Sequence, residues 1–188
     1  MTKAALRSTA LEARRLMGNA EYLEKSRHLT ELFFATQDLS FIRVLHTFLP
    51  VTTRKEPDLW PLIDRVRREF LHITIAVPKM KGDLLVHYRF EGLHQLKENN
   101  FGIAEPTGGT ELSPEKFDLI LVPLLVADRS GNRIGYGKGY YDRFLGGCRP
   151  DAKKIGISLS EPVETVPAEE HDVPLNGLIT PSEVFHFG

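Results

Sequence analysis

Cysteine is nearly absent from the sequence, since Cys148 is the only cysteine among 188 residues. One thiol cannot form an intrachain disulfide, so a disulfide-stapled fold is excluded and a reducing compartment is favoured. Cys148 follows the Gly146-Gly147 pair, a loop context that does not favour a catalytic thiol. The cysteine content therefore predicts a cytoplasmic protein whose core forms without covalent cross-links.

An excess of charge of one sign is also absent, because 24 Lys and Arg residues stand against 25 Asp and Glu residues. This balance argues against nucleic-acid or membrane binding through a broad charged face. The sequence has no long apolar run and no internal repeat, so neither a signal peptide nor a membrane span is predicted. We expect a monomer with a single domain over residues 1–188 whose partners are small molecules.

What the chain does contain is a glycine-rich stretch from Asp128 to Arg143. It follows the apolar run Phe117–Val126, so it indicates a strand, a turn and the start of a helix. The alternating glycines of the turn are Gly135, Gly137 and Gly139. Glycines permit positive φ angles, so the backbone N–H groups of such a turn can converge on one point. Convergent N–H groups favour an anionic ligand.

Charged residues within this stretch favour a phosphate chain that carries a divalent metal. Arg133 and Lys138 contribute two cations, and Asp142 places a carboxylate beyond them. A glycine-rich turn without these charges would be interpreted simply as a turn. The stretch is not a Walker A loop, because Gly139 follows Lys138 where Ser or Thr should stand. It is not the dinucleotide fingerprint either, because its third glycine comes too early and the turn lies late in the chain.

Hydrophobic periodicity predicts alternating helices and strands in the rest of the chain. The predicted helices are Thr2–Met17, a second helix capped by Asn19 that runs to Thr36, and a third that starts at Pro57. The predicted strands are Phe41–Leu49, Ile73–Val77, Leu84–Phe90, Phe117–Val126, Lys154–Leu159 and Val184–Phe187, whereas Gly92–Thr110 is expected to be irregular. This order predicts an α/β fold, a three-layer α/β/α arrangement with a mainly parallel, open, Rossmann-like sheet.

Three segments are expected to meet at one edge of this sheet. Glu56, the glycine-rich stretch and the loop Glu161–Pro174 each follow a predicted strand. Ligands of open α/β sheets bind outside the carboxyl ends of the strands, so these segments are candidates for one site. On the first helix, Lys3, Arg7 and Arg14 share a face, which is ordinarily a solvated face.

The segment from Arg133 to Asp142 closely resembles the signature of the 5-formyltetrahydrofolate cyclo-ligase family, also called methenyltetrahydrofolate synthetase. Weaker matches follow in the family's order over nearly the whole chain, at Lys3, Leu6-Arg7, Glu56, Pro167, His171-Asp172 and Ile179-Thr180. One position departs from the pattern. Family members often carry an aromatic residue before the aspartate that corresponds to Asp128, and here Ala127 stands there, which concerns local packing rather than chemistry.

The resemblance implies an ATP- and Mg²⁺-dependent conversion of 5-formyltetrahydrofolate, with or without a polyglutamate tail, to 5,10-methenyltetrahydrofolate. ADP and phosphate are the other products. The formyl oxygen is a poor leaving group, so it first accepts the γ-phosphoryl group. The neighbouring folate nitrogen then closes the ring and expels phosphate. Such a site needs cations, backbone donors and a metal rather than a side-chain nucleophile.

The resemblance also implies a role for individual residues. Lys138 and Arg133 would be catalytic, Asp142 and Asp172 would hold Mg²⁺, and Glu56 would bind the pterin ring of the folate. The residues implied in ATP binding are Lys3, Arg7, Arg133, Gly135, Tyr136, Gly137, Lys138, Gly139, Tyr140 and Tyr141. Those implied in substrate binding are Val51, Glu56, Tyr136, Gly137, Lys138, Gly139 and Tyr140.

Other interpretations remain open from the sequence. Glu56 before Pro57 and Asp142 can be acids at helix starts, and Asp172 can be a turn residue. The whole chain can be a non-catalytic nucleotide-binding module, or a sugar-phosphate or acyl-CoA enzyme on a similar fold. Glu56 and Asp172 distinguish these functions, because a cyclo-ligase uses both and a phosphate-binding module needs neither.

Overall fold

A seven-stranded sheet forms the centre of the computed structural model, which describes residues 1–187. The strands, in chain order, are β1 (Val44–His46), β2 (Thr74–Lys81), β3 (Leu84–Arg89), β4 (Leu96–Glu98), β5 (Ala104–Pro106), β6 (Leu119–Pro123), β7 (Val126–Ala127), β8 (Arg133–Ile134), β9 (Lys153–Ile157), β10 (Gly177–Ile179) and β11 (Val184–His186). The sheet order is β11-β10-β9-β6-β1-β2-β3, and β4–β5 and β7–β8 form two separate ribbons.

Five neighbouring strands of the sheet are parallel, and an antiparallel strand lies at each edge. The parallel strands are β10, β9, β6, β1 and β2, and the antiparallel edges are β11 and β3. From β1 the chain moves to β2 on one side, and it then returns to β6 on the other side. This is a doubly wound order whose direction reverses between β1 and β6. The predicted α/β fold with a mainly parallel sheet is confirmed.

Helices cover both faces of the sheet. The helices are α1 (Lys3–Leu16), α2 (Asn19–Thr36), α3 (Trp60–Glu69) and α4 (Tyr140–Gly146), with short 3-10 helices at Thr52–Arg54, Leu93–Gln95 and Pro114–Lys116. α2 and α3 pack on one face, α4 packs on the other, and α1 packs on the β7–β8 ribbon. None of the helices in the described part of the chain has the length and apolarity that crossing a bilayer requires.

The middle strand β6 is covered on both faces of the sheet, which explains why its sequence is apolar throughout. Leu119 and Leu121 pack on the side of α2 and α3, whereas Ile120 and Val122 pack on the side of α4. All four residues are at most 1% exposed. Successive side chains of a strand point to opposite faces, so a strand covered on both faces needs apolar residues at every position.

Several predicted boundaries are wrong. β1 is only three residues long: Phe41 is 85% exposed outside the sheet, and residues 47–49 are buried but lie beyond the end of the strand. The third helix begins at Trp60 and not at Pro57, and its first turn contains Pro61. Asn19 is the first residue of α2 rather than its cap. The two helix starts differ from the prediction by at most three residues, which is common for boundaries inferred from turn chemistry.

Two longer segments also differ from the prediction. Gly92–Thr110 is only partly irregular, since Leu96–Glu98 and Ala104–Pro106 within it form the β4–β5 hairpin. The predicted strand Phe117–Val126 breaks after Pro123, and the chain leaves the sheet to pair β7 with β8. Periodicity does not predict β10, because a strand of three residues contains too few alternations to show a pattern.

Pro78 does not end the second strand, contrary to the prediction. β2 continues to Lys81, and Pro78 pairs with His87 of β3. In a strand, the backbone groups of residues i and i+2 point to the same side. The Ala76 carbonyl points to the β1 side, where it accepts from the Thr47 N–H, so a backbone N–H at position 78 would also point to that side. β1 has ended at that level, so no ladder hydrogen bond is lost.

A pair of buried histidines lies between the sheet and α4. His87 Nδ1 and His46 Nε2 are 3.1 Å apart, and the two residues are 2% and 0% exposed. The rings of Phe117 and Phe144 pack against both of them. Burial lowers the pKa of His87 to about 4, and burial together with the neighbouring His87 lowers the pKa of His46 well below 6.5. Both rings are therefore neutral in the folded protein at neutral pH.

The histidine pair predicts a loss of stability in mild acid. As the pH falls below about 6.5, the unfolded chain binds protons that the folded chain does not. The contribution of the neutral histidines to the free energy of unfolding is therefore complete above that pH. It declines as the pH falls towards the folded-state pKa. We expect the free energy of unfolding to fall by about 2 kcal/mol for His87 alone between about pH 7 and about pH 5.

Denaturant unfolding at these two pH values measures the loss. His87→Gln should reduce the difference between the two values, and His186→Gln, at an exposed position, should not. A pH dependence in His87→Gln equal to that of the unchanged protein would contradict the assignment.

Candidate active site

A cleft of about 1130 Å³ opens at the carboxyl edge of the sheet, where the winding reverses. The loop after β1 and the chain after β6 enter it from adjacent strands, as expected at a topological switch point. Its predicted lining residues are all present: Lys3, Arg7, Val51, Glu56, Arg133, Gly135, Tyr136, Gly137, Lys138, Gly139, Tyr140, Tyr141, Asp142 and Asp172. The fold therefore brings every predicted site residue to one place, and their contacts with ligands remain predictions.

Glu56 lies at the end of a tight loop and faces the cleft. The 3-10 helix Thr52–Arg54 ends at Lys55, which has a positive φ of 49°. The chain turns back there, so that Glu56 Oε2 accepts the Val51 N–H at 2.9 Å. Glu56 is 8% exposed, and α3 starts only at Trp60. The interpretation of Glu56 as an acid at a helix N-terminus is therefore wrong.

The glycine-rich loop is held open by its glycines. Gly137 and Gly139 have φ angles of 85° and 67°, a region that side chains rarely allow. A Cβ at Gly137 would lie 3.1 Å from the guanidinium of Arg7, which donates to the Gly135 carbonyl at 3.0 Å. Within residues 1–187, the backbone N–H groups of residues 136–139 have no hydrogen-bond acceptor. They are therefore available to a ligand in the cleft.

Asp128 anchors the start of this loop. Its carboxylate accepts the N–H groups of Ser130 and Asn132, the Asn132 side-chain amide, and the Val166 N–H, at 2.9–3.0 Å. Burial alone would raise the pKa of Asp128, but these hydrogen bonds outweigh it and hold the pKa below its ordinary value. The anchor ties the glycine-rich loop to the segment that leads to Asp172. Ala127, where the family often has an aromatic residue, is buried beside it.

The two cations of the loop differ in their surroundings. Arg133 is 8% exposed, donates to Asp142 Oδ1 at 2.6 Å and also donates to the Val173 carbonyl. Lys138 is exposed, and its ammonium makes no hydrogen bond or ion pair within the described residues 1–187. Arg133 is thus committed to the protein, whereas Lys138 is free to contact a ligand.

The N-terminus of α1 carries a second ion pair to the cleft. Lys3 Nζ donates to Asp172 Oδ2 at 2.7 Å and lies 3.3 Å from Glu169 Oε2. Burial would raise the pKa of Asp172, but the hydrogen bond from Lys3 and that from the Glu169 N–H lower it below its ordinary value. Asp172 is therefore an anion at neutral pH.

Three tyrosines surround Glu56. Tyr22 donates to the Glu56 carbonyl at 2.8 Å, and burial with the nearby acids raises its pKa to about 12. Burial and the charge of Glu56 also raise the pKa of Tyr136 and of Tyr141. The Tyr141 hydroxyl is buried and has no partner in the described part of the chain. All three remain protonated and can act as donors beside the carboxylate.

The donor set fits a Mg²⁺ ion. Asp142 uses Oδ1 for Arg133 and Asp172 uses Oδ2 for Lys3, so each carboxylate keeps one oxygen without an ion-pair partner. Mg²⁺ is commonly bound through one or two carboxylates together with phosphate oxygens and water. Glu169, His171 and Asp172 also bring three ligand atoms within 4.8 Å of one another at the cleft. The residues present therefore suit a hard divalent cation bound with phosphate.

The structure adds residues to the cleft that the sequence did not indicate. The β4–β5 hairpin contributes Phe101 and Ile103, and Phe101 is 68% exposed at its tip. Arg54 holds this hairpin by donating to the Phe101 carbonyl at 3.0 Å. Arg14, expected on a solvated helix face, is 5% exposed beneath the cleft. The sequence signal for Phe101 is an aromatic residue inside a turn-forming segment, between Asn99-Asn100 and Gly102. The helical periodicity of α1 contains no signal that Arg14 is buried.

Sequence and structure comparisons identify the family. The model of the 5-formyltetrahydrofolate cyclo-ligase family matches residues 1–181. The 5-formyltetrahydrofolate cyclo-ligase of Escherichia coli is 30% identical over 138 residues, which cover 70% of this chain and 75% of that protein. A probable 5-formyltetrahydrofolate cyclo-ligase of Schizosaccharomyces pombe is 32% identical over 128 residues, 59% of this chain and less than two thirds (63%) of the yeast protein.

A solved structure agrees over nearly the full length. The NMR structure of Aquifex aeolicus 5,10-methenyltetrahydrofolate synthetase is 30% identical and covers 99% of this chain and 93% of its own, with a TM-score of 0.86. The family predicted from the glycine-rich signature is thus confirmed, and the chain belongs to the 5-formyltetrahydrofolate cyclo-ligase family.

Proposed function

We propose that this protein converts 5-formyltetrahydrofolate to 5,10-methenyltetrahydrofolate with ATP and Mg²⁺, and releases ADP and phosphate. Family membership supports the reaction. The observation that carries its details is the meeting of a buried carboxylate, Glu56, with a glycine-rich loop whose N–H groups and Lys138 are free. One end of the cleft can thus hold a neutral ring with donor groups, and the other can hold a polyphosphate.

The phosphate end of the cleft can align ATP without a nucleophile. The free N–H groups of residues 136–139 can donate to phosphate oxygens, with Arg7 beside them and Lys3 in the same cleft. Lys138 can neutralise the charge that develops on the γ-phosphoryl group during its transfer to the formyl oxygen. Arg133 orients Asp142 through their 2.6 Å ion pair, so its catalytic contribution is indirect. Ring closure then needs only that the two substrates stay in place.

The other end of the cleft can fix the pterin ring. The ring presents an amino group and an adjacent N–H, and one carboxylate can accept both. An ionised carboxylate has about four acceptor sites, and the Val51 N–H occupies one of them at Glu56. Val51 itself lines the cleft as an apolar contact. Glu56 can therefore bind the ring without losing the hydrogen bond that shapes its own loop.

Asp142 and Asp172 are the proposed Mg²⁺ ligands, directly or through water. The ion, when bound, would neutralise phosphate charge and hold the phosphate chain in one conformation. Arg133 and Lys3 hold the two carboxylates at the cleft through these ion pairs.

We further propose that residues 1–188 form one domain that acts as a cytoplasmic monomer on ATP and a reduced folate. The balanced charge and the single cysteine support this assignment, and no nucleic-acid or membrane partner is expected. The two other functions considered from the sequence, a nucleotide-binding module and a sugar-phosphate or acyl-CoA enzyme, are not favoured. Neither needs a buried carboxylate such as Glu56 in the same cleft as a glycine-rich loop with free N–H groups.

A coupled turnover assay tests the proposal. The purified protein should form the conjugated methenyl product, detected by its near-ultraviolet absorbance, only when ATP, 5-formyltetrahydrofolate and Mg²⁺ are all present. One ADP should form per methenyl product, and chelation of Mg²⁺ by EDTA should stop the reaction. Formation of AMP and pyrophosphate, or turnover without ATP, would contradict transfer of the γ-phosphoryl group.

A further inference from the structure

Arg143 joins the glycine-rich loop to the turn between β2 and β3. Its guanidinium donates through Nη2 to the Lys138 carbonyl and through Nε to the Asp83 carbonyl, each at 2.9 Å. The same turn accepts a second hydrogen bond, from the Tyr140 hydroxyl to the Gly82 carbonyl at 2.9 Å. Arg143 Cζ also lies 5.5 Å from the centre of the Tyr140 ring. The turn and Tyr140 therefore hold the guanidinium in one place beside the loop.

The close approach of Arg143 depends on the glycine at position 139. A Cβ on Gly139 would lie 2.8 Å from Arg143 Nη1, which is closer than side-chain contacts allow. Gly139 has a φ of 67° and a ψ of 9°, the conformation of the third residue of a type II turn. A flip of the preceding peptide, between Lys138 and Gly139, converts such a turn to type I and brings this φ to about −90°. Glycine allows both conformations, so the residue type alone does not fix the orientation of the peptide.

We propose that Arg143 is a positioning residue for ATP binding, which it serves by fixing the orientation of the Lys138–Gly139 peptide. This inference rests on the proposed function, in which the free N–H groups of residues 136–139 bind the phosphates of ATP. Arg143 acts through the peptide and not through a contact of its own with the nucleotide.

The geometry of the planar peptide carries the argument. In a trans peptide the C=O and the N–H point in opposite directions, and none of the described peptide bonds is cis. The Lys138 carbonyl points to Arg143, so the Gly139 N–H points away from it, and within residues 1–187 that N–H has no acceptor. After a flip, the N–H would face the guanidinium, which only donates. The contact with Arg143 therefore favours the orientation that offers an N–H, rather than a carbonyl, to a phosphate.

The competing explanation is that Arg143 only ties α4 to the β2–β3 turn. Arg143 lies on α4, so loss of its contact with the Asp83 carbonyl could simply loosen that turn. The two explanations differ in the backbone amide that changes. Loss of peptide orientation predicts exchange between two conformations at the Gly139 amide, whereas a loosened turn predicts it at the Gly82 and Asp83 amides alone.

We expect Arg143→Gln to raise the Kd of the non-hydrolysable ATP analogue AMPPNP, titrated with Mg²⁺ in a calorimeter, about 10-fold. Loss of one hydrogen bond from a charged group should leave the binding-competent orientation populated about a tenth of the time, and the apparent Kd rises by the inverse of that fraction. The KM for 5-formyltetrahydrofolate should stay within about twofold.

Arg67→Gln is the matched control. Arg67 is an exposed arginine on α3 that also donates to a backbone carbonyl, that of Glu91 at 3.0 Å, and it does not line the cleft. Its replacement should leave the Kd of the analogue and the folate KM unchanged.

Nuclear magnetic resonance of the isotope-labelled protein supplies a second measurement. In Arg143→Gln without nucleotide, the Gly139 amide resonance should shift or broaden through exchange between the two orientations. Saturation with AMPPNP and Mg²⁺ should restore a single sharp resonance, because the phosphates select the orientation with the free N–H. The unchanged protein and Arg67→Gln should show a sharp Gly139 resonance without nucleotide.

The outcomes distinguish this inference from the proposed function. If the unchanged protein does not bind the ATP analogue, the proposed function fails. If it does, a wild-type Kd in Arg143→Gln or an unchanged Gly139 amide resonance rejects the positioning role. Thermal unfolding shows whether each variant folds, and Arg143→Met, which keeps the apolar part of the side chain, gives the same test if Arg143→Gln does not fold.

Discussion

Lys138→Ala is expected to lower kcat about 10²–10³-fold, the scale found when one preorganised donor to a developing charge is removed. The KM for ATP should change less, because the N–H groups of residues 136–139 remain. Lys138 can have this effect because its ammonium has no partner within the described residues, so it is free to follow the phosphoryl group during transfer. Arg133, in contrast, is held by Asp142 and Val173.

The measurement is steady-state turnover with saturating ATP and folate. Thermal unfolding should be unchanged, because the Lys138 side chain makes no hydrogen bond or ion pair within the described residues. Lys116→Ala is the matched control, since Lys116 is an exposed lysine at the amino end of β6, on the edge of the sheet opposite the cleft. A wild-type kcat in Lys138→Ala would reject Lys138 as the cation that stabilises the transition state.

Glu56→Gln is expected to raise the folate KM about 10- to 100-fold, the equivalent of about 1.5–3 kcal/mol for hydrogen bonds to a charged group. Glutamine keeps one oxygen for the Val51 N–H, so the loop should retain its shape. It loses the second oxygen and presents an amide donor where the pterin ring also donates. The KM for ATP should stay nearly unchanged, because the phosphate end of the cleft is not altered.

Asp58→Asn controls for the general effect of an acid-to-amide change in this segment. Asp58 accepts the Trp60 N–H at 3.1 Å at the start of α3 and does not line the cleft. The Asp58→Asn change should lower the free energy of unfolding by about 0.3–1 kcal/mol and leave the folate KM unchanged. A Glu56→Gln protein that is less stable but has a wild-type folate KM would show that Glu56 serves only its loop.

The sequence alone was sufficient to predict the features that depend on residues close together in the chain. The spacing of Gly135, Gly137 and Gly139 with Lys138 indicated the family and a loop suited to an anion, because positive φ angles and free N–H groups depend on residue type at adjacent positions. The apolar run of β6 indicated a strand covered on both faces. The alternation of strands and helices gave the fold class and the edge at which the site lies.

Tertiary structure decided the burial and the partners of each charged residue. Arg133 and Lys138 look equivalent in the sequence, yet the fold buries one against Asp142 and leaves the other free. Arg14 shares a helix face with Lys3 and Arg7, yet it is buried next to Tyr136, which lies 122 residues away in the chain. Pairing and burial of a charge depend on residues distant in sequence, and no local pattern contains that information. The family and the expected edge of the site therefore follow from local sequence. The pairing and burial of the cations follow from contacts between distant segments, such as that of α1 with the glycine-rich loop.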